Sequence, residues 1–99
     1  MKCSPWQIWL GNFKFEETSE TKRRPVLILD CERMIAIALK MTSHEPRPGD
    51  YALVDLAKAG LRKPTAVRFQ MLELEEQDLL HQIGRLSLLD ELNIRKMHK

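Results

Sequence analysis

Cysteine, glycine and long apolar runs are all scarce in this chain of 99 residues. Its two cysteines, Cys3 and Cys31, are too few and too irregularly spaced to predict a disulfide framework or a zinc site, so we interpret them as incidental thiols. Residues 1–7 lack the apolar core of a signal peptide, and no apolar run approaches the ~20 residues of a membrane-spanning helix. We therefore expect a soluble cytoplasmic protein that contacts no membrane and folds without a cofactor.

Neither sign of charge dominates. The chain has 16 basic and 14 acidic residues, a formal net charge of +2, and no basic tail that would by itself indicate nucleic-acid binding. Local basic patches bind phosphate groups even when net charge is small. Such clusters occur at Lys22-Arg23-Arg24, at Arg62-Lys63 with Arg68 beyond, and at Arg95-Lys96 with Lys99. The length and the hydrophobic content of 43% predict one folded domain, residues 1–99.

Short apolar and alternating segments, bounded by turn residues, predict a mainly β protein of the α+β class. The runs at 26–29 and 34–41 predict a buried antiparallel pair at the centre of the sheet. Other strands are predicted at 7–15, 51–56, 65–72 and, more briefly, 83–86, with a short helical turn at 75–81. Five or six strands with a closing C-terminal helix indicate a small, strongly bent antiparallel sheet.

Apolar and polar residues alternate within the predicted strand 65–72, so its side chains can be assigned to the two faces of the sheet. Val67, Phe69 and Met71 are predicted to face the core, and Arg68 and Gln70 to point together away from it.

The predicted terminal helix has Ser87 as its N-cap. Leu88, Leu89, Leu92 and Ile94 would give its apolar side, either as core or as a dimer surface.

Residues 16–24 contain no apolar side chain and predict a polar surface loop longer than the usual ~4–6 residues. The loop ends at Arg24, where a strand begins, and eighteen residues later the next apolar run ends in Thr42 and Ser43. An arginine and a hydroxyl pair at adjacent strand ends can converge on one phosphate. Taken alone, however, such an arginine is more often solvated or ion-paired, and such a threonine is more often a β-branched strand residue.

Several segments occur in a characteristic order: Trp9-Leu10, the polar loop, Arg24-Pro25 with 26–29, Met41-Thr42-Ser43, residues 60–68 and residues 83–87. From about residue 8 to 92, this order resembles that of PemK/MazF-like toxins, the mRNA interferases of bacterial type II toxin–antitoxin systems. The resemblance implies an SH3-like barrel of the CcdB/PemK type and a homodimer. It also implies a metal-independent, sequence-specific endoribonuclease of single-stranded mRNA, with a cognate antitoxin as its protein partner.

The resemblance assigns the catalytic centre to Arg24 and Thr42, with Ser43 in the same loop. Arg68 matches the arginine of a late-strand motif, but Gln70 stands where several members have an aspartate, which leaves base specificity or activity open. Glu20 is the nearest candidate for an acidic residue of the polar loop.

Metal-free RNA cleavage uses the 2′-hydroxyl as nucleophile and needs a base, a group that stabilises charge on the phosphate, and an acid for the leaving oxygen. Arg24 suits charge stabilisation, since a guanidinium binds two phosphate oxygens and stays protonated. The Thr42 hydroxyl would orient the phosphate or the attacking oxygen. The base is open between Glu20 and His44, because histidine titrates near neutrality but a loop histidine is most often merely solvated.

Lys22, Arg23 and Arg68 would line a groove for the RNA backbone, although Lys22 is equally well explained as a solvating charge. Gln70 can donate and accept hydrogen bonds and so could read a base edge. The alternative function is a non-catalytic binding protein on the same barrel, acting either as an RNA binder or in the manner of gyrase poisons.

Overall fold

The computed structural model describes residues 1–14 and 21–97 of the chain. Within these ranges, six strands form one antiparallel sheet in the order β4-β5-β3-β2-β1-β6. The elements are β1 (Gln7–Lys14), β2 (Thr21–Cys31), β3 (Ile35–Thr42), β4 (Tyr51–Ala52), β5 (Ala66–Glu75), a 3₁₀ turn (Glu76–Asp78), β6 (Leu79–Arg85) and α1 (Leu88–Met97). The predicted mainly β architecture with a closing helix is confirmed. In the described part of the chain, no helix combines the length and apolar character needed to span a membrane.

The predicted central pair, β2 and β3, does lie in the middle of the sheet. Its apolar runs are nearly continuous because both faces are buried. Leu27 packs into one core cluster together with Ile94 of α1, whereas its neighbours Val26 and Ile28 pack into a second cluster beside Trp9. Since successive strand residues point to opposite faces, the two clusters cover opposite sides of the central strands.

The predicted strand at 51–56 is wrong beyond Ala52, because the backbone there bonds to α1. The amides of Val54 and Asp55 donate to the carboxylate of Asp90, at 2.9 and 3.0 Å. The predicted helical turn at 75–81 is likewise shorter, and residues 79–82 extend the last strand instead.

Met71 was predicted to be in the core, and that prediction is wrong. Val67 and Phe69 pack into the first cluster, but Leu72 and Leu74 pack into the second, and Met71 is 59% exposed. Because the bent strand β5 passes from one cluster to the other, no single face is buried along its whole length.

Strand β5 has a bulge where it passes from the first core cluster to the second. Leu39 of β3 pairs with Met71, whereas Lys40 pairs with Arg68, so residues 69 and 70 of β5 are extra relative to β3.

Ser87 caps α1 as predicted: the backbone N–H of Asp90 donates to its Oγ at 3.1 Å. The helix faces the core through Asp90 and Ile94, four residues apart and both fully buried. Leu88, Leu89 and Leu92 are therefore on other faces, and they are 68%, 54% and 46% exposed. Their interpretation as core is wrong, while their role as a dimer surface stays a prediction.

The structure joins Cys3 and Cys31 in a disulfide, with their Cα atoms 6.0 Å apart. The interpretation of these cysteines as incidental thiols is therefore wrong. Cys3 is buried in the second cluster near Trp9, and the segment after it is held to β2 by a hydrogen bond from the Trp6 amide to the Ile28 carbonyl, at 2.8 Å. Two cysteines separated by 28 residues meet only through this packing, which the spacing in the sequence does not reveal.

Candidate functional site

The register of the central strands brings Arg24 and Thr42 to the same end of the sheet. The last residues that β2 and β3 pair there are Val26 and Lys40, and two further steps in the same register place Arg24 opposite Thr42. Pro25 has no N–H to continue the ladder toward β3. Arg24 itself pairs with Gly11 of β1 on its other side.

Both residues line a cleft with a volume of about 250 Å³, which we call the basic cleft. Of the residues proposed from the sequence, it brings together Lys22, Arg24, Thr42, Ser43, His44 and Arg68. Its other lining residues are Pro25, Lys40, Met41 and Thr65. Four of the ten lining side chains are basic and none is acidic, so this part of the described surface attracts an anion such as phosphate.

The loop after β3 is held by the hydroxyl at the strand end. The backbone N–H of His44 donates to Oγ1 of Thr42 at 3.1 Å. A hydroxyl that accepts one hydrogen bond still has a hydrogen to donate, so Thr42 can bind a phosphate oxygen while it orients the loop. The His44 side chain is exposed and lines the cleft, within the same surface as Arg24.

Arg68 is held in an ion pair that the sequence did not indicate. Its Nη2 and Nε lie 3.2 and 3.4 Å from the two carboxylate oxygens of Asp50, which also accepts from the Arg47 amide at 2.9 Å. The hydrogen bond from Arg68 is the main reason that the pKa of Asp50 lies below its ordinary value. Asp50 thus orients Arg68 and offsets part of its charge.

Lys40 and Thr65 also line the basic cleft, although neither was predicted from the sequence as a site residue. A local signal for Lys40 existed, because it interrupts an apolar run two residues before Thr42, and alternation places such residues on one strand face. Thr65 had no such signal. It is 7% exposed, and its hydroxyl donates to the Lys63 carbonyl at 2.9 Å.

Arg23 and Gln70 do not line the basic cleft. Arg23 is an exposed residue that pairs with Asn12 of β1, and Gln70 is an exposed residue at the β5 bulge. Their roles in RNA binding stay predictions. Glu20, the other candidate base, lies outside the residues that the structure describes. In those that it does describe, no group of three or more His, Cys, Asp or Glu side chains is placed to hold a metal ion.

No protein-family model matches the sequence, and no curated protein matches it. Among solved structures, the chain is similar to the Mycobacterium tuberculosis toxin MazF-mt6, with a TM-score of 0.71 and 22% sequence identity. The match covers 92% of this chain and 90% of that one. The chain therefore has a MazF-like fold, which confirms the fold that the ordered motifs implied.

Proposed function

We propose that this chain is the toxin of a toxin–antitoxin system and a metal-independent, sequence-specific endoribonuclease of single-stranded mRNA, acting in the cytoplasm. One observation carries the proposal: Arg24 and Thr42, eighteen residues apart, line a single basic cleft in a chain with the fold of a MazF toxin.

In the proposed reaction, the 2′-hydroxyl oxygen of the substrate attacks the adjacent phosphorus, and the bond from phosphorus to the 5′-oxygen breaks. A base removes the 2′-hydroxyl proton, an acid protonates the leaving oxygen, and the products are a cyclic phosphate and a 5′-hydroxyl. Arg24 stabilises the negative charge that grows on the phosphate oxygens. Thr42 donates its hydroxyl hydrogen to one of them.

His44 is our candidate for the base. Its exposed side chain lines the cleft that Arg24 and Thr42 share, and its backbone is bonded to the Thr42 hydroxyl. Histidine is the side chain best suited to exchange a proton near neutral pH. Glu20 remains the competing candidate from the sequence.

Lys22, Lys40 and Arg68 would hold the phosphates on either side of the reacting one, since all three line the same cleft. The antitoxin in this proposal competes for the cleft and so would present acidic groups to it. A second copy of the chain would cover the three exposed leucines of α1, which otherwise leave a helix face of apolar side chains in water.

The test is cleavage of a single-stranded RNA by the purified protein in EDTA, with the ends of the products mapped. The matched control is the same oligonucleotide with deoxyribose at the mapped position, which lacks the nucleophile and should stay intact. If RNA is untouched under all conditions, the enzyme assignment is wrong. Inhibition of gyrase supercoiling by the same sample would then favour the non-catalytic alternative.

A further inference from the structure

A second cleft, with a volume of about 230 Å³, adjoins the basic cleft. The two have Ser43, His44 and Thr65 in common, so these residues form the wall between them. We call this neighbour the side cleft. It lies between the loop after β3 and the segment that leads into β5.

The two clefts differ in chemistry. The basic cleft contains four lysine and arginine side chains, whereas none of the described lysines and arginines lines the side cleft. Prolines, alanines and leucines make up six of its ten lining residues, and Glu45 is the one acidic side chain among those ten. A positively charged site next to a mostly apolar one matches the two halves of a nucleotide, because a phosphate and its base are separated by a single sugar.

The walls of the side cleft are joined by backbone contacts. Ala52 of β4 pairs with Ala66 of β5, and the Leu53 amide donates to the Thr65 carbonyl at 3.0 Å. Pro46 and Pro64 add rings with restricted backbone torsions. Such a site is formed before a ligand binds, so little conformational entropy is lost on binding.

We propose that the side cleft is a nucleobase subsite, which binds a base next to the phosphate that the basic cleft binds. This inference rests on the proposed function. The base would lie against the apolar walls, while the Glu45 carboxylate would accept a hydrogen bond from its exocyclic amino group. A base with an amino group is therefore preferred over uracil at this position.

The test uses Ala52→Phe, which fills the side cleft from an exposed position. Its matched control is Ala57→Phe, the same change at an exposed position that lines neither cleft. Each protein is assayed on oligoribonucleotides that carry the mapped cleavage site and an abasic ribose at one flanking position at a time. An abasic ribose keeps the 2′-hydroxyl and the phosphate but removes the base.

For the wild-type protein and for Ala57→Phe, loss of the base at one flanking position should lower kcat/KM roughly 10- to 100-fold, the usual effect of losing a stacked base. For Ala52→Phe, the intact substrate should already be cleaved that much more slowly, and removal of the base should cost little more. Glu45→Gln keeps the shape of the side chain and removes its charge. This variant should lose most of the preference for an amino-bearing base over uracil.

Equal dependence of the wild-type protein, Ala57→Phe and Ala52→Phe on every base would overturn the subsite while leaving the ribonuclease assignment intact. The side cleft would then serve another class of ligand, such as an apolar side chain of a protein partner. If the wild-type protein cleaves no RNA at all, the proposed function and the subsite both fail. The two failures are therefore distinguishable.

Discussion

The guanidinium of Arg68 lies 3.2 Å from the carboxylate of Asp50, and this ion pair ties the start of β5 to the residue that precedes β4. The Arg68 side chain, which lines the basic cleft, is 25% exposed, whereas that of Asp50, which is not among the lining residues, is only 5% exposed. Asp50 thus limits the share of the positive potential of the cleft that Arg68 provides.

Arg24→Ala should leave the protein folded and lower kcat/KM for RNA cleavage by about 10²- to 10³-fold, since it removes a preorganised charge from the transition state. The matched control is Arg33→Ala, at an exposed position between β2 and β3 that lies outside the basic cleft. Rates are compared at equal fractions folded, measured by circular dichroism. Cleavage at the wild-type rate by Arg24→Ala would remove this residue from the catalytic site.

His44→Ala should change the shape of the pH–rate profile of RNA cleavage as well as lower the rate, because a general base contributes its own ionisation to that profile. His81→Ala is the control, since His81 is exposed on β6 and does not line the basic cleft. A profile of unchanged shape at a merely lower rate would show that His44 positions the loop, and would return the role of base to Glu20.

Lys40→Ala should raise KM more than it lowers kcat, because a phosphate contact away from the reacting atoms binds substrate and transition state alike. It should also flatten the dependence of log KM on log salt concentration by about 0.7, the value for one contact to single-stranded nucleic acid. Lys58→Ala, at an exposed position outside the cleft, should change neither quantity. An unchanged salt slope in Lys40→Ala would place this lysine outside the RNA path.

Asp90 links stability to pH. Burial raises the pKa of this carboxylate, but hydrogen bonds from Tyr51, the Val54 and Asp55 amides and Ser87 outweigh burial and leave the pKa below its ordinary value. The folded state therefore binds the proton less well than the unfolded chain. The stability that the lowered pKa of Asp90 contributes is fully present above the unfolded pKa of ~3.9. It is lost as the pH falls through the lower pKa of the folded state.

Tyr51→Phe removes the 2.6 Å hydrogen bond to Asp90 and should lower the free energy of unfolding by roughly 1.5–3 kcal/mol near neutral pH. Urea unfolding measured from pH 7 down to pH 2 should show a smaller loss on acidification for the variant than for the wild-type protein. Parallel curves would mean that Tyr51 does not contribute to the lowered pKa of Asp90.

Reduction of the disulfide between Cys3 and Cys31 should lower the free energy of unfolding by roughly 3–4 kcal/mol, the chain-entropy estimate for their separation of 28 residues. Urea unfolding with and without dithiothreitol measures the effect. The double variant Cys3→Ser with Cys31→Ser should have, in both buffers, the urea midpoint of the wild-type protein in dithiothreitol. The comparison matters because disulfides are uncommon in a reducing cytoplasm, where the proposed function is exercised. No response of the wild-type protein to reductant would show that the bond is not formed in solution.

Local patterns in the sequence predicted the features that depend on burial and backbone chemistry near each residue. The runs that became β2 and β3 are apolar because both their faces are covered, and Ser87 is followed by a helix that needs a cap. The ordered motifs around Arg24 and Thr42 indicated a shared site. The two residues do line one cleft, because they lie on adjacent antiparallel strands that are also neighbours in the sequence.

The sequence by itself thus determined a bent antiparallel sheet, its central strands, its capped helix and two residues of the candidate site, Arg24 and Thr42. Only the tertiary structure decided that Asp50 orients Arg68, that Asp90 accepts hydrogen bonds from Tyr51 and from the chain after β4, and that Cys3 meets Cys31. Each of these contacts joins residues 18 to 39 positions apart. Such pairs depend on how the sheet bends and how the helix docks, which no local periodicity encodes. The same bend exposes Met71 and places an apolar cleft beside a basic one.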